Sequence, residues 1–212
     1  MKLYTYFRSS AAYRTRIALN LKGLTPENVF VHLVKNEQRA ADYLKVNPQG
    51  LVPTLVDGDQ AITQSLAIIE YLDETHPEPP LLPGSAADRA RIRALALTIA
   101  CDIHPIDNLR VLRYLTGVLK VSEADKDKWY EHWIREGLSA LETQLAGDAR
   151  TGRFCHGDAP TLADVCLVPQ LANARRVNMN VADFPTIARI ELACQALPAF
   201  ANAAPMQQPD AA

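Results

Sequence analysis

Two serines followed by a row of arginines offer the first chemistry in this chain. Residues 8 to 19 read Arg-Ser-Ser-Ala-Ala-Tyr-Arg-Thr-Arg-Ile-Ala-Leu. Before them, Lys2-Leu-Tyr-Thr-Tyr6 has strand-like aromatic content. After them, Ile17, Ala18, Leu19 and Leu21 are spaced as a buried helix stripe. The chain therefore leaves a strand and enters a helix at Ser9-Ser10, and either hydroxyl can cap that helix. The unpaired N–H groups of the first turn gather there, and the helix dipole adds a partial positive charge. A thiolate or a carboxylate placed there is stabilised, and Arg8 adds a full positive charge beside it. Read alone, the stretch also fits a plain helix cap flanked by solvated arginines.

A second helix start repeats the pattern. Gln64-Ser65 precedes Leu66, Ile68, Ile69 and Leu72, so Ser65 and the helix N-terminus form another anion site or an ordinary cap. Further on, Cys101-Asp-Ile-His104-Pro-Ile-Asp-Asn108-Leu-Arg110 lies inside a helical pattern. Pro105 cannot donate to the carbonyl four residues back, so a kink is expected there. On an unbroken helix His104 and Asn108 share a face, and Arg110 lies nearly opposite Asn108. Arg110 reaches the same place only if the helix is distorted or ends nearby. Arg175-Arg176 ends another helix, where cations complement the dipole.

The elements that must position these residues fall into two groups. Strands are expected at 3–7, 28–33, 54–56 and 60–62, with Asp57-Gly58-Asp59 joining the last two as a hairpin. Helices are expected at 10–22, 39–45 and 64–75. This alternation argues for an α/β unit over residues 1–80. Residues 76 to 87 carry four prolines and a glycine and mark a boundary. From 87 to 212 the pattern is helical, with helices expected at 88–115, 123–145, 162–175 and 184–196 and a loose tail after Phe200. Thr161-Leu-Ala-Asp164 has the form of a capping box, a structural device rather than a catalytic one.

Length and charge narrow the function classes. The chain has 212 residues and a net charge of −2, enough for two domains, with no global charge that would draw it to nucleic acid or a membrane surface. No apolar run is long enough to span a bilayer. The four cysteines, Cys101, Cys155, Cys166 and Cys194, are widely spaced and form no zinc pattern. No metal is expected, and the thiols fit a reducing cytoplasm.

The stretch from Arg8 to Leu19 resembles the signature of zeta-class glutathione transferases, Ser-Ser-Cys-x-x-Arg-x-Arg-Ile-Ala-Leu, with Ala11 where that family carries cysteine. Val52-Pro53, Gln64-Ser-Leu-Ala-Ile-Ile-Glu-Tyr-Leu72, the Pro105 segment and Ala-Asn-Ala-Arg-Arg176 extend the resemblance over nearly the whole chain. It implies a thioredoxin-like N-terminal domain followed by an all-helical domain, α/β plus all-α. It implies that Pro53 is cis and that Val52 turns its backbone toward glutathione. Gln64 and Ser65 would hold the γ-glutamyl carboxylate, with Ser9, Ser10, Ala11, Gln38, Gln49, Asp102 and His104 completing the glutathione site. Arg8, His104, Asn108, Arg110 and Arg176 would bind substrate; three arginines suit a ligand with more than one carboxylate, held in bidentate pairs.

The implied activity is cis–trans isomerisation of a maleyl keto acid in aromatic catabolism. Glutathione thiolate adds to the double bond, the bond rotates, and the thiolate leaves. Ser9 is the leading thiolate partner and Ser10 the alternate, with Arg8 and Arg176 assisting. Members act on maleylacetoacetate or maleylpyruvate; zeta relatives usually carry a small residue where this chain has Arg110, which favours the shorter maleylpyruvate. A homodimer is implied, with Asp102 reaching glutathione of the neighbouring subunit. The alternatives are a conjugating or peroxide-reducing transferase with an apolar site, and a non-catalytic glutathione-binding protein.

Overall fold

The computed structural model describes residues 1–211. The chain divides into two compact units, one of residues 1–81 joined by the chain from Gln195 onward, the other of residues 82–194.

In the first unit the elements follow as β1 (Lys2–Thr5), α1 (Ser10–Leu21), β2 (Glu27–Phe30), α2 (Ala41–Val46), β3 (Thr54–Asp57), β4 (Gln60–Thr63) and α3 (Ser65–Thr75). The sheet order is β2-β1-β3-β4. β1 runs parallel to β2 and antiparallel to β3, and β3–β4 is a hairpin pairing Asp57 with Gln60. Gly58 sits in its turn at φ +56°, a conformation open to glycine at little cost. Alternate β1 side chains face opposite ways. Leu3 and Leu55 pack with Leu19 of α1 and with Ile68 and Leu72 of α3. Tyr4 leans on the other cluster, built from Tyr6, Val31, Tyr43 of α2 and Val52. This is the thioredoxin-like order expected from sequence.

Edges differ from expectation. β1 stops at Thr5 because Tyr6, Phe7 and Arg8 already form the turn into α1, closed by the Ser9 N–H donating to the Tyr6 carbonyl at 3.0 Å. Residues 37–39 form a separate 3₁₀ turn before α2. The end of the chain is not a loose tail. After α8 (Pro185–Gln195), which is the helix expected at 184–196, it forms α9 (Pro198–Ala201) and two 3₁₀ turns, Pro205–Gln207 and Pro209–Ala211, and from Gln195 the chain packs with the first unit.

The second unit is helical. α4 (Ala86–Leu97) is started by a capping box between Ser85 and Asp88, and α6 (Glu123–Ala146) supplies Ile134, Leu138 and Leu141 to the core. α7 (Leu162–Arg176) is buried from Leu162 to Leu171. Asp164 closes its box as expected, accepting from the Thr161 N–H and hydroxyl at 2.8 Å each, and also from the Cys155 N–H at 2.8 Å. The expected helix over 88–115 is broken rather than kinked. A wide π-helical turn, Thr98–Ile103, follows α4, and α5 (Leu109–Gly117) starts afresh. Gly137 of α6 makes room for this turn: a Cβ there would lie 2.2 Å from Cδ1 of buried Ile103.

Candidate active site

Two helix N-termini of the first unit, those of α1 and α3, carry the serines singled out in the sequence. At α1 the chain turns at Arg8, which is exposed, and Ser9 takes the N-cap position in extended conformation. Its Oγ accepts the Ala12 N–H at 3.2 Å. A hydroxyl that accepts in this way keeps its own proton to donate. Ser10 is the first residue of the helix and is buried; Ala11 is half-buried and brings neither nucleophile nor acid.

At α3 the N-terminus is open. Among the described residues no side chain caps it, and no acid lies in its first turn, so its leading N–H groups remain for an anion. Gln64, which precedes it, turns its side chain away to donate from Nε2 to Gln49 Oε1 at 3.2 Å. Gln64 also adopts φ +70°, a left-handed conformation that a side chain adopts at a cost of order 1–3 kcal/mol. Such strain persists where the surroundings hold it, and it sets the direction in which α3 begins. Ser65 is buried at the first helical position.

Between these ends lies the loop from Asn47 to Pro53. The Val52–Pro53 bond is cis, in line with the expectation. No turn or loop hydrogen bond among the described residues uses the Val52 N–H or C=O. The loop is held from beneath by two residues that sequence reasoning did not single out. Buried Asn47 donates to the Leu51 carbonyl at 2.8 Å and to the Thr54 hydroxyl at 3.1 Å, and accepts from the Gln49 N–H at 3.0 Å. Tyr43 donates to the same Leu51 carbonyl at 2.5 Å, and burial pushes its hydroxyl pKa up. Gly50 has φ +61°, and a Cβ there would lie 2.8 Å from the Gln38 carbonyl. Gln38 itself is buried, and its Oε1 makes no hydrogen bond among the described residues. A buried acceptor without a partner is costly unless a ligand meets it.

The second unit carries the other candidates. Asp102 is exposed within the π-helical turn, and the His104 N–H closes the turn on the Ile99 carbonyl at 2.9 Å. Pro105 has no N–H, so the helix stops. Asn108 then caps α5, its Oδ1 accepting the Arg110 N–H at 3.1 Å. His104 and Asn108 therefore do not share a helix face; they flank a break. Arg110 is not opposite Asn108 but sits two residues into a new helix, exposed. A cation in the first turn works against the helix dipole, so the helix itself gives no reason for it. Arg175 and Arg176 are both exposed at the end of α7, and Arg175 Nη2 donates to Glu191 Oε2 at 2.5 Å.

Asp107 was not anticipated. It is 4% exposed, and neither carboxylate oxygen makes a hydrogen bond among the described residues. Burial pushes its pKa up to about 8, so it is largely neutral at pH 7. Nothing in the residue type signals this; its place between His104 and Asn108 in a proline-broken segment was the available clue.

The Glutathione S-transferase, N-terminal domain, family matches residues 1–74, and the Glutathione S-transferase, C-terminal domain, family matches 127–202. A probable maleylacetoacetate isomerase of Vibrio cholerae is 52% identical over 99% of this chain and 97% of its own. The chain belongs to the zeta class of glutathione S-transferases. A solved holo structure of maleyl pyruvate isomerase, described as a bacterial glutathione S-transferase in zeta class, superposes on this transferase with TM-score 0.98, at 48% identity and 100% coverage of both chains. A maleylacetoacetate isomerase from Methylobacterium extorquens AM1, solved with bound malonate and GSH, superposes with TM-score 0.97 at 44% identity, again over 100% of both chains. The transferase thus has the expected fold and class, and Ala11 is its departure from the class signature.

Proposed function

We propose that this chain is a glutathione-dependent cis–trans isomerase that converts maleylpyruvate to fumarylpyruvate. The first unit fits the cofactor at three points: an open, acid-free α3 N-terminus, a cis-proline loop with unused Val52 main-chain groups, and the unpartnered Gln38 acceptor. Gln64, Ser65 and the leading amides of α3 take the γ-glutamyl carboxylate. Val52 takes the peptide backbone, with Pro53 fixing the loop and Gln38 and Gln49 beside it. The α1 N-terminus and the Ser9 hydroxyl hold the sulfur as an anion, as a positive helix end lowers a thiol pKa. Bound there, glutathione supplies a thiolate that adds to the maleyl double bond and leaves again, freeing that bond to turn. Ala11 takes no part in this chemistry. Arg8, Arg110 and Arg176 hold the two carboxylates while the middle of the substrate turns, and His104 and Asn108 border it.

The observation that favours a dicarboxylate isomerase over a conjugating transferase is Arg110, a cation placed where its own helix favours an acid. The relative solved with malonate and GSH supports a dicarboxylate ligand. The choice of maleylpyruvate over maleylacetoacetate rests on Arg110 as a cation for the nearer second carboxylate. We further read the protein as a cytoplasmic homodimer serving aromatic catabolism. Four free cysteines, one of them exposed, fit a reducing compartment, and no helix among the described residues is long and apolar enough to cross a membrane. In the dimer, exposed Asp102 pairs with the amino group of glutathione on the neighbouring subunit.

The test is turnover of maleylpyruvate with glutathione, with S-methylglutathione and with neither. Isomerisation with glutathione alone supports the reading. Equal rates with S-methylglutathione, which lacks the thiol, contradict it.

A further inference from the structure

The proposed chemistry makes no use of the chain after α8, yet this segment is fastened to the element that carries Ser9. The Asn20 side chain donates to the Ala199 carbonyl at 3.0 Å, the Tyr13 hydroxyl to the Phe200 carbonyl at 3.4 Å, and Arg16 Nε to the Ala203 carbonyl at 3.1 Å. These contacts tie the tail to α1. A fourth acts on the turn itself: the Phe7 N–H donates to Asp210 Oδ2 at 2.9 Å.

The turn is gripped on its other side by Arg16. Its Nη2 donates to the Phe7 carbonyl at 3.1 Å, and its Nη1 to the Tyr6 carbonyl at 3.3 Å and the Thr5 hydroxyl at 3.1 Å. The Tyr6 carbonyl also takes the Ser9 N–H. Asp210 and Arg16 therefore hold the N–H and the C=O of one residue, two positions before the N-cap. Asp210 Oδ1 is buried and makes no hydrogen bond among the described residues, so the Phe7 amide on Oδ2 is the carboxylate's hydrogen-bonded partner.

We infer that Asp210 is a positioning residue for the reaction: through the Phe7 amide it fixes the turn that aims the Ser9 hydroxyl and the first amides of α1. The inference rests on the reading of Ser9 given above.

Charge and position act here with opposite signs. A carboxylate near the α1 N-terminus disfavours a thiolate through space, and the buried Arg16 guanidinium offsets it. A correctly set turn favours the thiolate. Removing Asp210 therefore lowers the thiol pKa if only its field matters and raises it if it positions the turn.

The experiment compares wild type, Asp210→Ala, Asp210→Asn and a chain ending at Gln208. Amide hydrogen exchange at Phe7 is read in the ligand-free protein, and the ultraviolet absorbance of bound glutathione thiolate is titrated with pH. We expect Phe7 in Asp210→Ala and in the shortened chain to exchange about tenfold faster, and the thiol midpoint to rise by about one unit. Asp210→Asn, which keeps an acceptor without the charge, should stay near wild type in exchange, with a midpoint no higher. A midpoint that falls or stays put in both Asp210→Ala and the shortened chain, or unchanged Phe7 exchange, overturns the inference while leaving Ser9 in its role. A wild-type protein that does not lower the thiol midpoint overturns the Ser9 reading, and this inference with it.

Discussion

Replacing Ser9 by alanine removes two interactions of different kinds, and their sizes can be separated. The first is visible in the ligand-free protein: Oγ accepts the Ala12 N–H at 3.2 Å as the N-cap of α1. Losing a serine cap costs about 1 kcal/mol, which lowers the melting temperature by about 2–4 °C in a chain of this size. The second is the one proposed with glutathione bound: the hydroxyl proton, uncommitted by the cap, donates to the sulfur anion. A hydrogen bond to a charged group contributes about 1.5–3 kcal/mol, or about one to two units of thiol pKa. Turnover of the maleyl substrate near neutral pH should therefore fall roughly ten- to hundredfold. The assay is a pH titration of bound glutathione by ultraviolet absorbance beside steady-state kinetics, on Ser9→Ala, Ser9→Thr and Ser10→Ala. Ser9→Thr keeps cap and donor and should stay close to wild type. Ser10 is the first helical residue with no capping role, so its alanine variant should barely move the midpoint. A shifted midpoint in Ser10→Ala alone, with Ser9→Ala unchanged, would exchange the two roles and refute this reasoning.

The remaining predictions concern the supports. Asp107 is held near pKa 8 by burial, so the folded state keeps a proton that the unfolded state has lost, and stability falls as pH rises from about 4 to about 8. Asp107→Asn should remove that slope, gaining on wild type across this range in chemical denaturation and levelling off above it; parallel curves would show that Asp107 ionises freely. Gly50→Ala, whose Cβ would lie 2.8 Å from the Gln38 carbonyl at φ +61°, should cost about 1–3 kcal/mol and raise KM for glutathione more than it lowers kcat. Asp164→Ala strands buried donors on Thr161 and Cys155 and should cost roughly 3 kcal/mol or more, while the folded fraction keeps its kcat; unchanged melting with lost activity would overturn the capping role. Arg110→Ser should lower kcat/KM for maleylpyruvate by about ten- to hundredfold, more than for maleylacetoacetate, yet stabilise the protein slightly, since a cation leaves a helix N-terminus.

Local signals made much of the first unit legible. Aromatic strand residues, the Asp57-Gly58-Asp59 turn and the two serine-led helix starts state their structure in short range. The capping box at Thr161 did the same for α7. What stayed hidden depends on burial and on main-chain partners. Apolar spacing runs through residues 88–115 without interruption, so Pro105 read as a kink; the break needs Asn108 to cap a new helix, and that side chain has a plain solvent-facing alternative. The Ala-, Pro- and Gln-rich end read as loose because its anchors are mainly carbonyls, of Ala199, Phe200 and Ala203, which composition does not reveal. Nor does residue type disclose the left-handed backbone of Gln64 or the burial of Asp107. Ser9, Gln64 and Ser65 could be placed at helix starts because helix ends announce themselves; the loop supports Asn47 and Tyr43 could not, because their partners lie within a loop whose shape is set by folding.

The central claim is that glutathione supplies the thiol and is returned unchanged, the protein offering no nucleophile of its own at Ala11. Proton NMR of maleylpyruvate incubated with the protein and a small fraction of an equivalent of glutathione tests it directly. The claim predicts complete conversion to the trans olefin over many turnovers per glutathione, with the glutathione resonances intact at the end. Conversion without any thiol present, or conversion that stops after one equivalent with glutathione left as a stable adduct, would contradict it.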